Sequence, residues 1–425
     1  MSRPVPSVAV RPHVCTACSL LCDDVQVRVD GERVVSVEPA CPKAVERLTS
    51  TAIAATCAVG GKAADYERAV AAAAELLAAA KMPVVTGLQY ATVAAMRAAI
   101  ELAERLGATI DPIDDRGRSG EFAAVQSVGA VTATLGEIAA RADLVVNWFV
   151  DPVATHPRLR ERLGDSPTLG AATGATRQWI DVATKLQATD AAESARVLRA
   201  LLQDAPLDEQ RAETTAGVPL AKWRDLADQL AAAKYVAFVF DETTLGVDDR
   251  DDQRRLAKVA LAELVAALHQ HTRCVALPLA PGGNLAGVRQ TLTWQTGFPG
   301  AVTFASGAPE YHPDEATGQQ MLARGEADAV LVVGGDPLGK HSTWSPTARD
   351  AFCSTPTIVI DSTDTATRQA AAVALAVRPF HIAEAGSVFR TDGVALPLAA
   401  AVDSHLPSCE QVLRDIAAAL LSRGG

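Results

Sequence analysis

Valines at 25, 27 and 29 alternate with polar residues, Asp30-Gly31 supplies a turn, and Val34, Val35 and Val37 follow. Period-two alternation on either side of an Asp-Gly pair predicts a β-hairpin. Beyond it the period changes. Residues 66–80 form an Ala-rich helical stretch, and Pro83-Val-Val-Thr-Gly87 is a short apolar run ending on a turn residue. Positions 93–106 again carry helical spacing, closed by Gly107, and an apolar strand runs into Ile110. Strand, helix, strand with continuously apolar strands predicts a βαβ unit in a parallel sheet. The same order returns at 235–240, a helix over 254–269, and 274–278.

One segment repeats at a distance. The run 142–156, ending Asp151-Pro152-Val-Ala-Thr-His156, aligns without a gap on 327–341, ending Asp336-Pro337-Leu-Gly-Lys-His341. Each copy reads as a buried parallel strand that stops at Asp-Pro, with a His four residues later. Repeats of 20–50 residues build solenoids, whereas one repeat this long predicts duplicated α/β domains. The expected division is a Cys-rich β-element over 1–65, a first α/β domain over 66–190, a helical connector over 191–232, a second α/β domain over 233–375 and a C-terminal segment over 376–425. Superposing the two halves is expected to bring Asp151 and Asp336 to equivalent places.

Composition narrows the function classes. The chain has 425 residues, 49% hydrophobic and 21% charged, with a net charge of −11. Such a chain can bury a core, and its acidic balance without a Lys/Arg cluster argues against nucleic-acid binding. No apolar stretch approaches the ~20 residues of a membrane span. The N-terminus has no apolar core of a signal peptide, so a cytoplasmic location is expected.

Four of the eight cysteines fall in the first 41 positions, as Cys15-x2-Cys18-x3-Cys22 with Cys41-Pro42 downstream. Soft thiolates clustered in a reducing compartment point to metal. The close triplet with a distant fourth Cys before Pro fits a [4Fe–4S] cluster better than the paired spacing of zinc ribbons, although zinc or a merely buried set would satisfy the same residues. Cys57, Cys274, Cys353 and Cys409 read as core.

Asp151 and Asp336 stand at strand ends, where ligands of parallel α/β sheets bind, and a helix cap with Pro behind it would explain them equally. Pro281-Gly-Gly-Asn284-Leu-Ala-Gly287 reads as a flexible loop able to approach a phosphate, though it has no Walker or GxGxxG pattern. The polar loop 114–120 is expected at the same ligand face. No hydrolase triad and no His metal spacing is visible.

Taken in order, the N-terminal cysteines, NWFVDPVATHPR (147–158), GGNLAGV (282–288), LVVGGDPL (331–338) and EAGSVFRTDGVALPL (384–398) resemble the bis-molybdopterin oxidoreductase superfamily. Within it the sequence is most similar to the family of formylmethanofuran dehydrogenase B subunits, over nearly the whole chain. The resemblance implies Rossmann-like domains of the molybdopterin oxidoreductase type and a [4Fe–4S] cluster on Cys15, Cys18, Cys22 and Cys41. It also implies two molybdopterin guanine dinucleotides at the repeated halves, drawing on Asp151, Asn284 and Asp336, and a Mo or W ion. The family's metal-ligating Cys would fall in 114–125, and here there is no Cys anywhere between Cys57 and Cys274. That departure resembles the bacterial formyltransferase/hydrolase complexes of tetrahydromethanopterin-linked C1 oxidation. In these, the D subunit moves a formyl group to a methanofuran-type carrier, the A subunit hydrolyses it, and the B subunit stays as a non-redox scaffold. The implied partners are the A, C and D subunits, and the alternative is an active Mo or W dehydrogenase subunit.

Overall fold

The structure, a computed structural model, describes residues 9–50, 53, 56–112, 118–241, 251–313, 315–340 and 342–422. The chain divides into two units, one made of 1–114 with 282–425 and the other of 115–281.

The strands run along the chain as β1 (Ala9–His13), β2 (Val25–Asp30), β3 (Arg33–Glu38), β4 (Cys57–Val59), β5 (Lys62–Ala64), β6 (Pro83–Gly87) and β7 (Thr109–Pro112). In the second unit come β8 (Leu144–Trp148), β9 (Gln178–Asp181), β10 (Tyr235–Asp241) and β11 (Arg273–Leu279). The chain then returns to the first unit with β12 (Val302–Thr303), β13 (Glu310–Tyr311), β14 (Ala329–Val333), β15 (Thr357–Asp361), β16 (Val373–Ala376), β17 (Gly386–Phe389) and β18 (Ala395–Leu398).

The expected hairpin is β2–β3, with Gly31 at φ +61, and a bulge at Arg28/Val29 shifts the register so that Val34 and Val37 face inward while Val35 is exposed. Sequence periodicity gave no sign of β1, which pairs antiparallel with β2 and completes a small sheet around the cysteine loop.

The main sheet of the first unit has the order β13-β12-β7-β6-β14-β15-β16-β4-β5, parallel from β7 to β16 and antiparallel at both margins. The second unit carries the parallel order β11-β10-β8-β9. The two orders correspond. β8 and β14, the strands of the 185-residue repeat, each lie beside the first strand of a βαβ unit. Their partners are exchanged, however. The early βαβ unit (β6, β7) pairs with the late strand β14, and the late βαβ unit (β10, β11) pairs with the early strand β8. Domains divided at 190 and 233 therefore do not describe the structure. The second unit is a single excursion of the chain within the first, because strand pairing follows spatial and not sequential order.

The reason β14 is apolar at every position is visible in its packing. Leu331 and Val333 point to a core shared with Met96 and Ile100 of helix Val93–Leu106 and with Val412 and Ile416 of helix Cys409–Leu421. Val330 and Val332 point to the opposite face, against Trp344 and Phe352. A central strand covered on both faces has no polar side to show. The 376–425 segment thus contributes a core helix to the first unit.

In the second unit Trp148 packs edge-to-face on Phe238 at 5.6 Å. The expected connector 191–232 is instead part of that unit's core. Helices Ala191–Leu202 and Leu220–Ala232 bury Leu198, Trp223 and Leu230 against β8 and β10. Their polar residues, which suggested a linker, are the solvent faces of amphipathic helices. No helix among the described residues is long and apolar enough to cross a membrane.

Candidate functional site

Two places in the first unit gather chemically capable side chains. The first is the loop between β1 and β2. Cys15 donates its N–H to the carbonyl of Cys22 at 2.9 Å, and Leu21 donates to the carbonyl of Cys18 at 3.1 Å with Leu21 itself at φ +39. This tight double turn folds the triplet back on itself. Cys41 arrives as the N-cap of helix Pro42–Leu48, with Pro42 at the first helical position. Cys15, Cys18 and Cys22 are buried and Cys41 is half-buried. The Cys15 thiol is pushed up to about 12, first by burial and further by the charges of Cys18, Cys22 and Cys41, against a lowering hydrogen bond from Ala17. The other three sulfurs are therefore within electrostatic reach of Cys15. Among the described residues, no three His, Cys, Asp or Glu side chains close on one point as a single metal ion demands. Four thiols are the donor type that a cubane takes, each on a different iron atom.

The second place is a cavity of about 360 Å³ at the carboxyl ends of β6, β14, β15 and β16. Glycines bring its walls together. Gly87, at φ +95, lies so close to β14 that a Cβ would stand 2.5 Å from the Val333 carbonyl oxygen. A Cβ on Gly334 would meet Tyr90 at 3.2 Å. Asp361, at the end of β15, accepts from Thr363 N at 2.9 Å and Gly335 N at 3.4 Å, tying two strand-end loops together. Burial raises its pKa, opposed by those hydrogen bonds and by Arg47 and Arg368. Arg47 reaches the cavity from the last turn of helix Pro42–Leu48 and stacks 4.1 Å over the Tyr90 ring.

Glu384 completes this wall, its carboxyl lifted from 4.5 to about 7, chiefly by burial and against the attraction of Arg378. Below pH 4.5 folded and unfolded chains both hold this proton. Between 4.5 and about 7 only the folded chain does, so its stability falls as pH rises through that window, by on the order of 3 kcal/mol in all. Glu384→Gln should remove that slope. Urea unfolding at pH 5 and pH 7.5 checks it, and equal pH dependence in variant and parent would refute the assignment.

Asp336 lines the cavity, as expected for a strand-end acid, but its Oδ1 is occupied, accepting from Thr367 Oγ1 at 2.5 Å and Thr367 N at 3.2 Å. Asp151 lies in the other unit and caps helix Pro152–Thr155 through Val153 N at 2.9 Å, the local device weighed against ligand binding. Asn284 is 0% exposed, and its amide joins Ala91 O at 2.9 Å to Phe389 N at 2.7 Å, so it ties segments together inside the fold. The loop it belongs to is not an open phosphate cradle. Helix Leu285–Thr296 starts directly after Asn284, and a Cβ on Gly283 would lie 2.3 Å from Gln89 O. His341 and residues 113–117, with the side chains through 121, lie outside the described residues.

No protein-family model matches the chain. Among curated proteins, the B subunit of the formyltransferase/hydrolase complex Fhc of Methylorubrum extorquens is 32% identical over 289 residues, covering 64% of this chain and 73% of that protein. The chain belongs to this B-subunit family. The B subunit of tungsten-containing formylmethanofuran dehydrogenase 2 from Methanocaldococcus jannaschii is 29% identical over 418 residues, 93% of this chain and 94% of that protein. In three dimensions the B-subunit fold matches a chain of the M. extorquens complex FhcABCD, crystallised with methylofuran, at TM-score 0.71 and 28% identity, over 87% of this chain and 99% of that one. Acetylene hydratase from Pelobacter acetylenicus shares the fold at TM-score 0.64 and 13% identity, over 96% of this chain and 69% of that one. The expected molybdopterin oxidoreductase-type α/β fold is thus present in this B-subunit relative.

Of the three side chains expected to hold two molybdopterin guanine dinucleotides, Asp151 and Asn284 are engaged within the fold, and Asp336 lines the cavity of the first unit. Sequence reasoning missed Arg47, Tyr90, Lys340, Asp361, Arg378 and Glu384. A signal existed for Asp361, since Thr-Ile-Val-Ile-Asp361 is another apolar strand ending in an acid.

Proposed function

We propose that the chain is the B subunit of a cytoplasmic formyltransferase/hydrolase complex in tetrahydromethanopterin-linked one-carbon oxidation. It acts there as a non-redox scaffold for the A, C and D subunits. The observation that carries this reading is the match over 99% of a chain of the FhcABCD structure. The sequence supports the non-redox part, because no Cys lies between Cys57 and Cys274 to give a catalytic Mo or W its thiolate. Formyl transfer and hydrolysis would belong to the partner chains. Cys15, Cys18, Cys22 and Cys41 would hold a [4Fe–4S] cluster, which supplies a one-electron centre or, without redox turnover, a covalent staple of the N-terminal loop.

The likeness to tungsten-containing relatives favours a second reading, an active dehydrogenase subunit. Metal analysis of the affinity-purified complex separates the two. The expected result is co-purification of the A, C and D subunits, iron without stoichiometric Mo or W, and no viologen-linked formate oxidation. Stoichiometric Mo or W together with that oxidation would overturn the scaffold reading.

A further inference from the structure

The outward face of helix Val93–Leu106 floors a groove in the first unit that neither the cysteine loop nor the strand-end cavity uses. This helix packs between helices Leu285–Thr296 and Cys409–Leu421, and on its outward side it carries alanine at 94 and 98, one turn apart. Such small side chains leave it lower than its neighbours. The result is a hollow of about 410 Å³, floored by Ala94, Ala98 and the buried Phe304 and walled by Gln295 of one neighbouring helix and Arg414 of the other.

Two features of the rim mark it as a contact surface. Trp294, next to Gln295, is 59% exposed and has an edge-to-face contact with Phe389 at 5.3 Å, whereas the other four tryptophans are buried or half-buried. Tryptophan beside an apolar hollow is the residue type that carries most binding energy at protein interfaces. The charges supply the second feature. Glu101 is paired with Arg105 and Glu410 with Arg414, but Arg97 and Glu104, which also line the groove, make no ion pair among the described residues. They lie two turns apart on one helix, about 10 Å along its axis. An occupant must therefore be convex and apolar along its middle, with an acid opposite Arg97 and a base opposite Glu104. A second copy of this chain would set hollow against hollow and fill neither.

We propose that this groove, with Trp294 at its edge, is where another subunit of the complex docks, through an apolar ridge flanked by one acid and one base about 10 Å apart. The proposal rests on the reading of the chain as a complex subunit.

The test uses the complex assembled by co-expressing the tagged chain with the A, C and D subunits, diluted stepwise and weighed by native mass spectrometry. Trp294→Ala should raise the concentration at which the complex falls apart by tenfold or more. Arg97→Glu should raise it several-fold, and by more at low than at high salt, because charges at a rim are screened. Both side chains are exposed, and the salt dependence of Arg97→Glu still decides the matter if the Trp294 variant does not fold. Leu169→Ala, at an exposed position of the second unit, is the control. A complex as stable in both variants as in the parent would overturn the docking surface alone. A parent that brings down no A, C or D subunit would overturn the complex reading and the docking surface together. Dimers of this chain that Arg97→Glu breaks apart would place a second copy in the groove and overturn the assignment to another subunit.

Discussion

Gly87→Ala is expected to destabilise the first unit by about 3–5 kcal/mol. Two effects add. At φ +95 any L side chain is strained, and the new Cβ would lie 2.5 Å from the oxygen, 2.9 Å from the carbon and 3.0 Å from the nitrogen of Val333. Those are backbone atoms of a central strand, and they cannot move without breaking the β6–β14 ladder. Gly60→Ala is the control. It too has positive φ, +57, but nothing lies within 4 Å of its Cβ, so only the conformational cost of ~1–2 kcal/mol applies. Denaturant midpoints compare the two. Similar midpoints would mean that β6 and β14 are not packed as closely as described.

The second large effect is expected at the cysteine loop. If the four sulfurs hold a [4Fe–4S] cluster, Cys18→Ser should remove the brown absorbance and most of the iron. The exchange of sulfur for oxygen changes little volume, so loss of iron would report ligation and not unfolding. Cys274→Ser provides the contrast. That thiol is fully buried in the second unit, and burial raises its pKa, so replacement should lower stability and leave the iron in place. Iron retained in Cys18→Ser, or absent from anaerobically prepared parent protein, would end the cluster assignment.

Much of the local structure was legible because it depends on neighbours in sequence. Strand Pro83–Gly87 and helix Val93–Leu106 end where the turn residues said they would, Gly107 closing the helix at φ +62. Pairing between distant strands was not legible. The repeat correctly pointed to equivalent strands, but apolar residues in β8 and β14 fit either partner, and only three-dimensional packing assigns β14 to β6. The two Asp-Pro copies show the same limit within a site. Asp151 caps its own helix, whereas Asp336 turns to Thr367, 31 residues away, and no spacing distinguishes them. Arg47 was invisible for a related reason. Its role comes from stacking on Tyr90, and in sequence it is one more Arg near a helix end.

The excursion of the chain between 114 and 282 also orders its birth. Residues 83–112 leave the ribosome early, but β6 has no inner neighbour until β14 is made about 240 residues later. At ~5–20 residues per second that delay is roughly ten to fifty seconds. During it the second unit, whose sheet partners all lie between 144 and 279, can close on its own. The first unit meanwhile exposes an apolar strand edge that invites wrong pairing. Yield in a foreign host should therefore respond to slower synthesis and to chaperones that shield nascent strands, more than to changes in the finished surface.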